Sequence, residues 1–215
     1  MAQKELSHKD GDPTHQIVVE GPDDFHFLGH WLKETGLIDR FCFRAASNDT
    51  ELLRLFPVVL KESEVKVVGI IIDADANVQR RWDGIRQRLM GAGYLPDAVP
   101  LGAPNAAFVC EGPGLPRFGA WIMPNNANPG YLETFAAQLI DQNDGLWPIA
   151  VKTVESLPAE FTRFRPVDRD KVNIHTWLAW QHQPGMPLGQ AIKTKLFDVG
   201  CEVGQNFREW LTALL

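Results

Sequence analysis

The chain predicts an α/β fold: a mainly parallel sheet with flanking helices and a helical C-terminal extension. Three observations lead there. Short apolar or β-branched runs alternate with helical apolar spacing three times between Ile17 and Gly93. One of those runs, Lys66 to Ile72, is apolar almost throughout, as a central parallel strand covered on both faces must be. From Tyr131 onward the apolar residues recur mainly at helical intervals.

Taken in order, Ile17-Val18-Val19-Glu20 is a short strand ended by Gly21-Pro22. Asp23 or Asp24 then opens a helix whose apolar face is Phe25, Phe27, Leu28, Trp31 and Leu32, with Gly36 as its stop. Phe41 to Ala45 is the second strand. Ser47-Asn48-Asp49 caps a second helix carrying Leu52, Leu53, Leu55, Phe56 and Leu60, which Pro57 is expected to kink or shorten. After Lys66–Ile72 comes Asp73-Ala74-Asp75-Ala76-Asn77, then a helix with Trp82, Ile85 and Leu89 on one side, closed by Gly91 and Gly93.

Residues 94–116 are rich in Pro and Gly; within them 107–110 is expected as one strand of a small hairpin. Phe118 to Met123 is a further sheet strand, followed by a turn over 124–130 that Asn125, Asn126 and Asn128 shape. Helices are expected over 131–141, 170–182, 188–196 and 203–215, with Trp177, Leu178 and Trp180 packed in the core. The divisions that follow are a mobile N-terminal tail (1–16), an α/β core (17–145) and a helical extension packed on it (146–215).

The bulk numbers bound the partners. Of 215 residues 45% are hydrophobic and 22% charged, ordinary for a globular chain, and the net charge of −6 is not that of a surface built as a whole to attract nucleic acid. Cys42, Cys110 and Cys201 are odd in number, widely spaced and not in CxxC pairs, which argues against a zinc ribbon or disulfide framework and suits three buried thiols in a reducing compartment. The N-terminal MAQKELSHKDGDPTHQ lacks an apolar core, and no apolar run reaches the roughly 18–20 residues that cross a bilayer. A cytoplasmic protein without a membrane span is expected. The sequence assigns no oligomeric state.

Ligands of parallel α/β sheets bind at the carboxyl ends of the strands. Two strands end in acids there, one in Glu20 and one in Asp73 and Asp75. Crowded carboxylates beside an apolar strand repel one another, and oxygen-preferring Mg²⁺ or Mn²⁺ is the usual remedy. Asp73 and Asp75 can meet on one ion once the strand opens into a turn, and Asp24, four residues after Glu20, can join them across a helix start. The competing reading makes each acid a first-turn helix residue favoured by the dipole. Arg80 and Arg81 directly follow the two aspartates and either grip phosphate or form a solvated helix face with Arg86 and Arg88. His26 and His30 have helical spacing but no accompanying metal-ligand motif, and read as helix-surface residues.

VVEGPDD (18–24) and IIIDADAN (70–77) together resemble the two signatures of the Toprim domain found in topoisomerases, bacterial primases and OLD-type nucleases. That resemblance implies a Toprim-like (Rossmann-like) core. It also implies that Asp73 and Asp75 hold Mg²⁺, and that Glu20 binds metal or moves a proton. RRWDGIRQRL (80–89), GAWIMPNNANPGYLE (119–133), TWLAWQHQPG (176–185) and LGQAI (188–192) extend the likeness to an uncharacterised stand-alone bacterial Toprim-like family. By resemblance to the nucleases, Glu133 is a further ligand and Lys171 a phosphate-stabilising, catalytic cation. The chain has only Tyr94 and Tyr131 and no GxxxxGK[ST] loop, so it matches neither the topoisomerases nor a nuclease with its own ATPase domain. The expected function is a Mg²⁺-dependent phosphodiester hydrolase acting on nucleic acid. The alternative is a non-catalytic metal- or nucleotide-binding module serving a separately encoded ATPase. A phosphatase with an aspartyl nucleophile is disfavoured, because its DxD closes the first strand and here two strand–helix units come earlier.

Overall fold

The computed structural model describes residues 6–215. The sheet has six strands: β1 (Ser7–His8), β2 (His15–Val19), β3 (Cys42–Ala45), β4 (Val67–Asp73), β5 (Phe108–Cys110) and β6 (Arg117–Met123). They are ordered β1-β3-β2-β4-β6-β5. The central four pair in parallel and the edges β1 and β5 antiparallel, so the sheet is mixed, and the mainly parallel expectation holds for its centre. Residues 1–5 of the expected tail lie outside the described residues, whereas Ser7 and His8 pair with Phe43 and Arg44.

Strand periodicity sorts the core into two layers. Ile17, Val19, Val67, Ile71, Trp121 and Met123 face one way, toward α1 (Pro22–Glu34), α4 (Leu132–Gln138), α6 (Arg169–Ala179), α7 (Leu188–Lys193) and α8 (Glu202–Ala213). Val18, Val68, Ile70, Ile72, Phe118 and Ile122 face the other way, toward α2 (Asp49–Val59) and α3 (Val78–Ala92). A strand buried on both faces has no polar side to show, which is why β4 reads as an unbroken apolar run.

The C-terminal helix docks for a specific reason. Gly69 and Gly119 lie opposite one another across β4 and β6. A Cβ at Gly119 would stand 2.5 Å from Leu214 Cδ2 and 3.0 Å from Trp210 Nε1, so the paired glycines form the hollow that α8 fills.

Several expectations need correction. α2 runs through Pro57 to Val59 before it ends. A helix unexpected from sequence, α5 (Leu146–Glu155), places Pro148 in its first turn, where a missing N–H costs nothing. Trp177 and Leu178 are buried, but α6 stops at Ala179; Trp180 leaves the helical period and is 44% exposed. Cys42 and Cys110 are buried free thiols, while Cys201, at the cap of α8, is partly exposed.

Candidate functional site

Parallel pairing brings the acids together. β2 and β4 are neighbours in register, Val19 beside Ile71, so the residues that follow them leave the same edge side by side. Glu20 Oε2 accepts the Asp73 backbone N–H at 3.0 Å. Asp73 Oδ1 in turn accepts the N–H of Leu132 at 3.0 Å, the first residue of α4, which satisfies one of the unpaired donors of that helix start. Asp24, in the first turn of α1, is buried, and its Oδ1 has no hydrogen-bond partner.

The electrostatics follow from that packing. Burial pushes Asp73 up to about 9, and the neighbouring Asp24, Glu20, Glu133 and Asp75 add to it in that order. Burial pushes Asp24 up to about 7, with Glu20 and Glu133 contributing. Glu20 is also raised by burial, against the opposing hydrogen bond from Asp73. The carboxyls of Glu20 just after β2, Asp24 on α1 and Asp73 at the end of β4 therefore repel one another in a poorly hydrated setting, and Glu133 of α4 adds to that repulsion.

Two acids are paired with cations. Glu133 is buried and receives Lys171 Nζ at 2.7 Å from the first turn of α6; that hydrogen bond holds the lysine above its ordinary value. Asp75 sits in the left-handed region at φ 54°, pinned by two backbone hydrogen bonds with Gly130. Its half-exposed side chain pairs with Arg81 Nη2 at 2.5 Å. Arg81 is buried and engaged on every side, also reaching Asp49 Oδ2 at 2.6 Å and the Asp73 carbonyl at 2.8 Å. Arg80 is exposed and, with Asp49, Asp75 and Asn77, lines a cavity of about 330 Å³.

The donor chemistry suits a hard cation: every candidate atom is a carboxylate oxygen, and one is buried without a partner. Among the described residues, though, no three His, Cys, Asp or Glu side chains stand gathered as an ion-holding set. Glu133 and Asp75 would have to leave Lys171 and Arg81 to join one. His26 and His30 line a second cavity beside Glu133, with His175.

Sequence reasoning missed Asp49. Read as part of a helix cap, it instead leaves capping to Asn48, whose Oδ1 accepts the Glu51 N–H at 2.9 Å, and pairs with Arg81. Asp49 and Arg81 lie 32 residues apart on separate helices, so no local spacing reveals that pair. It also missed the Thr134–Asp170 hydrogen bond (2.9 Å) that ties α4 to α6 beside the Glu133–Lys171 pair. Asn126, buried at φ 64°, shapes the turn after β6 through its Oδ1 and the Ile122 N–H.

No helix among the described residues is long and apolar enough to cross a membrane. No curated protein and no solved structure matches the chain. Residues 14–215 match the family model described as Protein of unknown function (DUF3226), and the chain belongs to that family.

Proposed function

We propose that this chain is a Toprim-like, Mg²⁺- or Mn²⁺-dependent phosphodiester hydrolase acting on nucleic acid. The observation that carries the reading is the meeting of Glu20 and Asp73 at the ends of two adjacent parallel strands, with Asp24 buried nearby and its Oδ1 unpartnered. Carboxyls held this way take up protons or a cation, and a divalent ion is the better counter-charge at neutral pH. Glu20, Asp24 and Asp73 would hold it, with Asp75 and Glu133 completing the set. When bound, the ion supplies charge neutralisation at the phosphate oxygens.

The chain's own groups do the rest. Glu20 Oε2 is anchored by the Asp73 N–H, so its other oxygen is the proton acceptor oriented at that edge. Lys171, bonded to Glu133 at 2.7 Å, would face a phosphate once released from it. Arg80 would reach phosphate from the cavity it lines, while Arg81 acts as a positioning residue that holds Asp75 and the Asp73 carbonyl.

The test pairs calorimetric titration of Mg²⁺ and Mn²⁺ with cleavage of plasmid DNA, linear DNA and RNA. Wild type should bind and cleave, and Asp73→Asn should lose both, cleavage by about 100-fold or more. Metal-dependent cleavage that survives the substitution sinks the reading. One observation favours a second reading, a non-catalytic module working with a separately encoded ATPase: Glu133 and Asp75 are already occupied by Lys171 and Arg81. Ion binding without cleavage of any substrate is its signature.

A further inference from the structure

Between α5 and α6 the chain reads Phe161-Thr162-Arg163-Phe164-Arg165-Pro166-Val167-Asp168-Arg169-Asp170-Lys171. Four of these eleven residues are basic and two acidic, a local excess of positive charge in a chain of net charge −6. Arg163, Arg165 and Arg169 are all exposed. Arg165 is spent on Asp168, at 2.8 and 2.9 Å, but Arg163 and Arg169 make no ion pair among the described residues. Phe161 is 64% exposed and Phe164 partly so. Aromatic rings left in water between unpaired guanidinium groups are the composition of a surface that takes a stacked, polyanionic partner.

The segment borders the acid cluster. Thr134 Oγ1 donates to Asp170 at 2.9 Å and Lys171 bonds Glu133 at 2.7 Å, both on the first turn of α4, whose leading N–H holds Asp73. Tyr131, at the cap of that helix, lies within Coulombic reach of Asp73 and Asp75 and also of Asp168 and Arg165.

We infer that residues 161–171 form a seat for single-stranded nucleic acid, with Arg163 and Arg169 taking backbone phosphates and Phe161 and Phe164 stacking on bases. Unpaired bases offer their faces to such rings, whereas a duplex hides them and leaves only its phosphates to the arginines. The seat binds by its own residues; only its role in presenting a strand to the carboxylates rests on the hydrolase reading.

Fluorescence anisotropy of a labelled single-stranded oligonucleotide, with its duplex as comparison, tests this on the full chain in EDTA over a salt series. Wild type should prefer the single strand. The double variant Arg163→Ala/Arg169→Ala should bind at least about tenfold more weakly, with a salt dependence shallower by about 1.4, two phosphates' worth. Phe161→Ala should lose roughly 5- to 100-fold with the salt dependence unchanged. Arg54→Ala, exposed on α2, should bind as wild type does. Failure of wild type to bind the strand, or wild-type binding by both seat variants, overturns the inference. Cleavage that depends on Asp73, with strand binding and cleavage both indifferent to Arg163 and Arg169, refutes the seat and spares the hydrolase. Seat-dependent binding without any cleavage upholds the seat and refutes the hydrolase.

Discussion

Replacing Asp73 by Asn should stabilise the metal-free protein, although it removes a residue of the candidate site. The unfolded chain ionises this carboxyl near 3.8, and burial among like charges moves it to about 9 in the fold. Keeping a proton that the unfolded state has released costs ~1.4 kcal/mol per pH unit, or about 4 kcal/mol at neutral pH. Asp24 and Glu20 share the repulsion, so the variant should recover about 2–4 kcal/mol of it. Asn keeps an Oδ1 to accept the Leu132 N–H, so the cap of α4 survives. The sign follows from the direction of the shift. A carboxyl raised in the fold contributes stability at low pH and loses it as pH rises toward the folded value. The advantage of Asp73→Asn should therefore be about 1–2 kcal/mol near pH 5 and grow up to about pH 9. Urea or thermal unfolding in EDTA reads this directly, as a rise of roughly 5–15 °C in Tm at neutral pH for a chain of this size. Saturating Mn²⁺ should close the gap by stabilising wild type alone. A variant no more stable than wild type at high pH, or a gap that does not widen with pH, refutes the picture of a buried carboxyl among like charges.

Two further substitutions probe the scaffold around the site. Arg81→Ala removes the partner of Asp49 and Asp75 and should cost about 2–4 kcal/mol in denaturant unfolding. Arg81→Lys should recover less than half, because an ammonium cannot reproduce the planar fork; full recovery would show that charge alone matters. Gly119→Ala should cost about 1–3 kcal/mol, because its Cβ meets Leu214, Trp210 and the Phe108 carbonyl oxygen at 3.1 Å. Gly145→Ala, with no neighbour in reach, should be close to neutral; equal effects at the two positions would discount the docking of α8.

Local pattern in the sequence was enough for most of the elements near the site. The apolar run before Asp73, the turn residues after Glu20 and the helical spacing around Trp82 each report on neighbours a few residues away, and the elements they predict are present. The acids at the ends of two strands were visible for the same reason. Their mutual distance was not, since it depends on β2 and β4 being sheet neighbours although β3 lies between them in sequence. The edge strand β1 was not legible, being two residues long and stabilised only by its pairing, whereas β5 falls within the strand expected over 107–110.

What the sequence determined by itself was an α/β chain whose Glu20, Asp73 and Asp75 stand where parallel strands end. Tertiary structure alone decided how those acids divide: Glu20 and Asp73 meet with Asp24 buried nearby, while Glu133 pairs with Lys171 and Asp75 turns out to Arg81. The physical reason is that ionisation and pairing depend on burial and on charges brought in from distant segments. Arg81 and Asp49, 32 residues apart, and Lys171 and Glu133, on separate helices, meet only when the sheet and its covering helices have closed.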